Sequence, residues 1–408
     1  MNIKDLTTLV ESRQEQIVSD MVAMSSIPAI NPQNNGTGEY ERCQWILGVL
    51  KEHHVSFEVI EVADDQVQEG QRLNIIAKIP GTENKAKTLW FIAHTDTVSP
   101  GDLKAWHTDP FKPEIKDGRI YGLGVEDNGQ GIISILHTCL VMQEQGIRAK
   151  CNIGFIFAAD EETGSDFGLK ELIRRKVFSA EDEAIVPDAG SPDGTFIEIA
   201  EKSIAWLKFT VMGKQTHGSM PHLGINAGSV GAHLAVELED TLKELYADHD
   251  ELFDPPYSTF ELTQKFSNVE SPNIIPGEDV FVMDMRVLPK FKLAELADHI
   301  NKTIARYEYR EKVRIRYEFL QKVDAPVPTA QDALVVQNLK AALAERSIQA
   351  YCGGIGGGTC AAMLRAENIP AVVWSTINEL AHQPNEYTEI KNIMQDTLVF
   401  LTTISKYC

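Results

Sequence analysis

Several histidines and carboxylates of the chain stand in short polar clusters, each placed after an apolar run. The first cluster is Ala93-His94-Thr95-Asp96-Thr97-Val98. In an extended segment residues two apart face the same side. Asp96 can therefore fix the tautomer of His94 and raise its basicity, the usual support of a metal-ligating imidazole. A core histidine bonded to a nearby acid is the structural alternative. The second cluster, Tyr121-Gly122-Leu123-Gly124-Val125-Glu126-Asp127-Asn128-Gly129-Gln130-Gly131, also reads as a glycine loop with Asp127 capping a helix. Its adjacent acids and lack of lysine argue against phosphate binding. The third, Asp160-Glu161-Glu162, puts three acids in a row after an apolar strand. They repel one another unless something neutralises them. A helix N-terminus relieves one or two such charges. A divalent cation relieves more, and lets one carboxylate ligate while its neighbour acts as a base. The fourth and fifth clusters are Val186-Pro187-Asp188-Ala189-Gly190, otherwise an ordinary turn, and Leu380-Ala381-His382-Gln383-Pro384-Asn385-Glu386. Taken together, two histidines and at least three carboxylates are the donor set of a divalent metal site, with zinc preferred where imidazole is present.

The elements that must position these clusters are legible as alternating strands and helices. Strand-like runs at 57–62, 73–79, 89–94, 151–159, 184–187 and 371–375 interleave with helical spacing at 39–53, 129–145, 169–176, 332–344 and 388–404. This order predicts an α/β domain whose mixed, largely parallel sheet is flanked by helices. Sites in such domains form beyond the carboxyl ends of the strands, where all five clusters fall. The texture changes near residue 200. Strands at 203–212, 259–266, 280–288 and 313–319, with helices at 228–246 and 293–309, give the order of a ferredoxin-like α+β sandwich. The expected division is a discontinuous larger domain of 1–199 and 320–408, with 200–319 inserted into it.

Composition narrows the function classes. The chain has 408 residues, is 43% hydrophobic and 24% charged, and carries a formal net charge of −21. That excess of acid argues against nucleic acid and anionic membranes as partners. No apolar run is long enough to span a bilayer, and the first fifteen residues have no signal-peptide core. Six scattered cysteines without a CxxC pair point to reduced thiols and a cytoplasmic location.

The clusters, in this order and over nearly the whole chain, resemble the metallopeptidase family that contains acetylornithine deacetylase, succinyl-diaminopimelate desuccinylase, the aminoacylases, bacterial glutamate carboxypeptidase and peptidase T. The resemblance implies a zinc-exopeptidase-like catalytic domain and an inserted lid and dimerisation domain. It implies two zinc ions per subunit, with cobalt or manganese as substitutes. His94 and Asp188 would hold one ion, Glu162 and His382 the other, and Asp127 both. Asp96 would orient His94, and Glu161 would be the general base toward a bridging hydroxide. In the insert, Gly213-Lys214-Gln215-Thr216-His217-Gly218 resembles the family's lid motif. His217 would stabilise the tetrahedral oxyanion across a homodimer boundary, with Asn226 nearby in sequence. Asn273 and Arg286 match the pattern that binds a substrate carboxylate, a role suited to a planar guanidinium. A sheet-internal salt bridge between Arg286 and Asp284 is the alternative. Gly357, Gly358 and Thr359 fall in a run, 353–359, like the family's glycine-rich substrate loop, whose amides can form an anion nest.

Two departures from the family pattern stand out. Cys360 follows Thr359 where relatives carry an acid, and Leu123 replaces an arginine. The implied activity is hydrolysis of the amide bond of a small N-acyl amino acid bearing a free carboxylate. A di- or tripeptidase or a carboxypeptidase with the same site is the alternative. A non-catalytic metal-binding protein would be expected to lack Glu161 or a ligand, and all are present.

Overall fold

The apolar run near residue 90 forms the strand Thr88–His94, buried at every position. In the computed structural model, which describes residues 3–83 and 87–407, this strand lies inside an eight-stranded sheet. The order is Phe57–Ala63, Gln71–Ile79, Asn152–Ala158, Thr88–His94, Glu183–Val186, Ala371–Val373, Phe196–Glu201 and Tyr351–Ile355. Four central strands, Asn152–Ala158, Thr88–His94, Glu183–Val186 and Ala371–Val373, run parallel. Burial on both faces explains why they read as continuous apolar runs and not as alternation. Because they are parallel, their carboxyl ends open at one edge. His94, the acids after Ala158, Asp188 and the segment leading to His382 all leave the sheet there. The helices Gly131–Glu144 and Ile390–Ser405 pack together, the first buried along nearly its whole length.

The chain forms two compact units. One comprises 1–199, 329–353 and 359–408, and the other 200–328 with 354–358. The expected border at 319/320 falls inside the strand Arg314–Val323, so the smaller unit continues to 328. In that unit the strands Thr259–Lys265, Glu278–Val287, Ser203–Met212 and Arg314–Val323 lie in this order, antiparallel throughout. This is the strand order of a ferredoxin-like sheet. Inward residues Leu207, Phe209, Val211, Phe281 and Met283 meet Leu234, Leu238, Leu296 and Ile300 of the helices Ala227–Leu245 and Leu293–Glu311.

Two local expectations shift. Residues 387–389 are a strand, Tyr387–Glu389, paired with Arg119–Tyr121, and the last helix starts only at Ile390. Thr388 is drawn into extended backbone as its hydroxyl donates to Gln130 Oε1 at 2.5 Å in a buried setting. Residues 353–355 belong to the strand Tyr351–Ile355 and not to a loop. No described helix is long and apolar enough to cross a membrane. Cys43, Cys139, Cys151, Cys352 and Cys360 are free thiols, while Cys408 lies outside the described residues.

Trp90 shows how tightly the sheet is filled. Its indole N–H donates to Asp182 Oδ2 at 2.8 Å, and its ring covers Gly154 on the neighbouring strand. A Cβ on Gly154 would stand 2.1 Å from the Trp90 ring. Gly154→Ala is therefore expected to cost about 1–3 kcal/mol by overpacking. The midpoint of urea unfolding reads this directly, and an unchanged midpoint would contradict the packing described.

Candidate metal centre

The edge of the parallel sheet assembles the predicted residues from five separate segments. His94 ends its strand with both ring nitrogens engaged. Nδ1 faces Asp96, 3.1 Å from its backbone oxygen and 3.4 Å from Oδ1. Nε2 points the other way, 2.9 Å from Asp127 Oδ1 and 3.3 Å from Asp188 Oδ1. Asp96 thus braces the ring while Nε2 faces two carboxylates, as a supported ligand requires. His382 forms a second group, with Nε2 3.1 Å from Glu162 Oε2 and 3.2 Å from Asp127 Oδ2. Asp127 stands between them, one oxygen toward each imidazole. Helical backbone breaks at this residue, with φ −108° and ψ 98°. Two sets, His94–Asp127–Asp188 and Asp127–Glu162–His382, each bring one possible ligand atom per residue within 4.8 Å of the others.

Electrostatics supports a cation at each set. The site concentrates carboxylates where water is largely excluded. Burial opposes protonation of His94, yet Asp188, Asp127 and Asp96 outweigh it and hold its pKa well above the usual imidazole range. Hydrogen bonds to Asp127 and Glu162 lift His382 to about 10. Imidazoles driven to the cationic form mark a deficit of positive charge. Glu161 is pushed well above the ordinary carboxylate range by burial and by the charge of Asp188. Burial also raises Glu162, partly offset by His382. Glu162 Oε1 is buried with no hydrogen-bond partner, a costly state for a carboxylate oxygen that an ion would relieve. The nitrogen and oxygen donors suit a borderline divalent ion. The residues present fit a two-ion centre.

Glu161 and Glu162 are held by one device. Asp96 Oδ1 accepts the Glu161 backbone N–H at 2.9 Å, and Oδ2 accepts that of Glu162 at 3.2 Å. The third acid of the run has a different task. Asp160 takes left-handed backbone at φ 64°, and its carboxylate accepts from the Thr163 hydroxyl and the Phe167 N–H. It shapes the turn that presents its neighbours. Two contributors escape sequence reading. Asn31 Nδ2 donates to Asp96 Oδ2 at 2.8 Å and to Asp160 Oδ1 at 3.0 Å. Asn128 Nδ2 donates to Asp188 Oδ1 at 2.5 Å and to the Pro187 carbonyl at 2.8 Å. Neither carries a spacing signal, because both act on residues distant in sequence.

The other predicted residues lie mostly on the smaller unit. His217 belongs to a two-residue strand paired with Ile274–Ile275. It is exposed, and its Nδ1 is 2.8 Å from the Ser219 hydroxyl. The Asn273 carbonyl accepts the Gly218 N–H beside it. Asn226 caps the helix Ala227–Leu245 by accepting from Ser229 N–H at 3.1 Å. Arg286 is engaged within its own unit. It donates to both Asp284 oxygens, at 2.7 and 3.0 Å, and to the Gly356 carbonyl at 2.7 Å. Gly357 and Gly358 continue that same segment, and Thr359 begins the next stretch of the larger unit.

A family profile described as peptidase family M20/M25/M40 matches residues 90–406. The chain belongs to this family. Its relatives include an uncharacterized metallohydrolase of Methanocaldococcus jannaschii, 39% identical over 405 residues, covering 94% of this chain and 97% of the relative. A succinyl-diaminopimelate desuccinylase of Wolbachia pipientis is 26% identical over 395 residues, covering 94% and 91%. Among solved structures, the aminopeptidase PepT of Bacillus cereus superposes with a TM-score of 0.76 at 21% identity, covering 97% of this chain and 98% of that one. The protein is thus an M20-family metallohydrolase of the class that acts on amide bonds.

Proposed function

We propose that this M20-family hydrolase is a two-zinc deacylase. It would cleave the amide bond of a small N-acyl amino acid with a free carboxylate, as a cytoplasmic homodimer. One observation carries the hydrolytic part of this reading. The adjacent acids Glu161 and Glu162 have divided environments: Glu162 pairs with His382, while the Glu161 carboxylate accepts no hydrogen bond among the described residues. A carboxylate left without a protein partner beside a ligand set is placed to handle a proton. Further support comes from the desuccinylase relative, and from the free thiols, which suit a reducing compartment.

When bound, the two ions supply positive charge that polarises the amide carbonyl and acidifies the attacking water. The protein's own residues do the rest. Asp96 holds the His94 ring through Nδ1 and the Glu161–Glu162 turn through its carboxylate. Glu161 accepts the proton of the attacking water and passes it to the leaving nitrogen. His217 is proposed, from its motif, as the oxyanion donor. Arg286 spends three of its five N–H donors on Asp284 and the Gly356 carbonyl, which leaves two to meet a substrate carboxylate.

The test is a substrate panel run on protein whose metal content is measured in the same sample. N-acetyl and N-succinyl amino acids are expected to give kcat/KM at least about tenfold above di- and tripeptides, the discrimination that one well-filled pocket supplies. Preference for peptides would replace the deacylase reading with a peptidase. No turnover of any amide by the two-metal form would overturn both.

A further inference from the structure

His382 is the most weakly supported of the ligand side chains. Its side chain is 55% exposed, against 3% for His94. It sits at φ 62° on a segment, 374–386, that has no regular secondary structure. The anchoring of this segment lies in two buried glutamates that the metal sets do not use. Glu126 precedes Asp127, and Glu386 follows His382 by four residues. Each reaches into the other's loop.

Glu386 Oε2 accepts the Gly124 N–H at 2.7 Å. Its Oε1 accepts the N–H groups of Glu126 at 2.7 Å and Asp127 at 3.0 Å. In return, Glu126 Oε1 and Oε2 accept the N–H groups of Asn378 and Leu380, each at 2.5 Å. Both glutamates are buried, at 4% and 2% exposure. Burying two carboxylates is expensive unless they are fully hydrogen-bonded. Here the bonds are short and aimed at backbone. Contacts to backbone fix loop shape more directly than contacts to mobile side chains. The loops are joined again where the Gly122 N–H meets the Glu386 carbonyl and Tyr387 pairs with Tyr121.

We infer that Glu126 and Glu386 are positioning residues, a reciprocal clasp that holds His382 and Asp127 in register for the second metal. The inference rests on the two-metal reading above. It predicts an asymmetry. His94 is fixed by the central strand and Asp188 by Asn128, so the first set does not depend on Glu126. Outer partners of ligands usually contribute about 10–100-fold in metal affinity, and for Glu126 that contribution falls on one site.

The experiment is Co²⁺ titration of the metal-stripped full-length protein, read by the visible absorption of bound Co²⁺ and by metal analysis after dialysis. Wild type is expected to bind two equivalents. Glu126→Gln is expected to keep one equivalent at wild-type affinity and to weaken the other about 10–100-fold. Glu386→Gln, which also acts on the shared Asp127, is expected to weaken both equivalents. The equivalent retained by Glu126→Gln reports that the chain is folded, and circular dichroism checks it independently. Two equivalents of unchanged affinity in both variants overturn the clasp. Equal weakening of both equivalents in Glu126→Gln overturns it as well, because the effect would then be general. Wild-type protein that takes up fewer than two ions overturns the two-metal reading itself, and the clasp with it.

Discussion

Glu161→Gln is expected to lower kcat by about a thousandfold while leaving both metal sites filled. Glutamine preserves the shape of the side chain and, through its own backbone N–H, the hydrogen bond to Asp96 Oδ1. It cannot accept a proton. A positioned general base contributes about 10²–10⁴-fold, and a thousandfold loss corresponds to about 4 kcal/mol of transition-state stabilisation. Because the group acts on the moving proton and not on substrate binding, kcat and kcat/KM should fall together with KM nearly unchanged. Steady-state kinetics on variant and wild type of equal metal content makes the comparison. A kcat within about tenfold of wild type would remove Glu161 from the proton-transfer role. A loss accompanied by missing metal would instead place it among the ligands.

The arrangement behind this expectation was partly legible in the sequence, and the reasons differ by residue. His94, Asp188 and the acids after residue 159 each follow an apolar run. Parallel strands buried on both faces produce such runs, and their carboxyl ends lie at one edge. Strand ends could therefore be read as a common address before any contact was known. The way Asp160 presents Glu161 and Glu162 could not. It depends on the left-handed backbone at Asp160 and on Asp96 accepting both following N–H groups. Asn31 was invisible because its targets lie 65 and 129 residues away. The buried carboxylates of Glu126 and Glu386 were hidden for another reason. Backbone N–H groups donate to any suitably placed acceptor, so nothing in residue type marks such a pairing. The smaller unit runs on past 320 because a ten-residue strand does not stop where its alternation weakens. In Arg314–Val323 register shifts between Phe319 and Gln321, and pairing continues to Val323. At Arg286 the sheet-internal salt bridge to Asp284, the alternative the sequence offered, is present, and the substrate-carboxylate role stays a proposal.

Asp127→Ala is expected to empty both metal sites, whereas a change at either flank empties one. Asp127 is the sole residue common to the two described ligand sets. Its oxygens are spent separately, Oδ1 toward His94 and Oδ2 toward His382. Hydrogen bonds to those two histidines hold its pKa far below the ordinary carboxylate value in spite of burial. Removing it takes one negative ligand from each ion at once. Metal analysis after dialysis should give about two ions per chain for wild type, about one for Asp188→Ala or His382→Ala, and less than one for Asp127→Ala. Stability offers a second readout. Ions that bind only the folded chain stabilise it by about 4 kcal/mol when present at a thousandfold excess over Kd. A chelator should therefore lower the melting temperature of wild type and leave that of Asp127→Ala nearly unmoved. The variant alone should melt near chelated wild type, or slightly above it, since one carboxylate of a crowded anionic cluster is gone. If Asp127→Ala retained two ions, or if chelation shifted its melting temperature as much as that of wild type, Asp127 would not be the shared ligand and the two sets would have to be rebuilt around another residue.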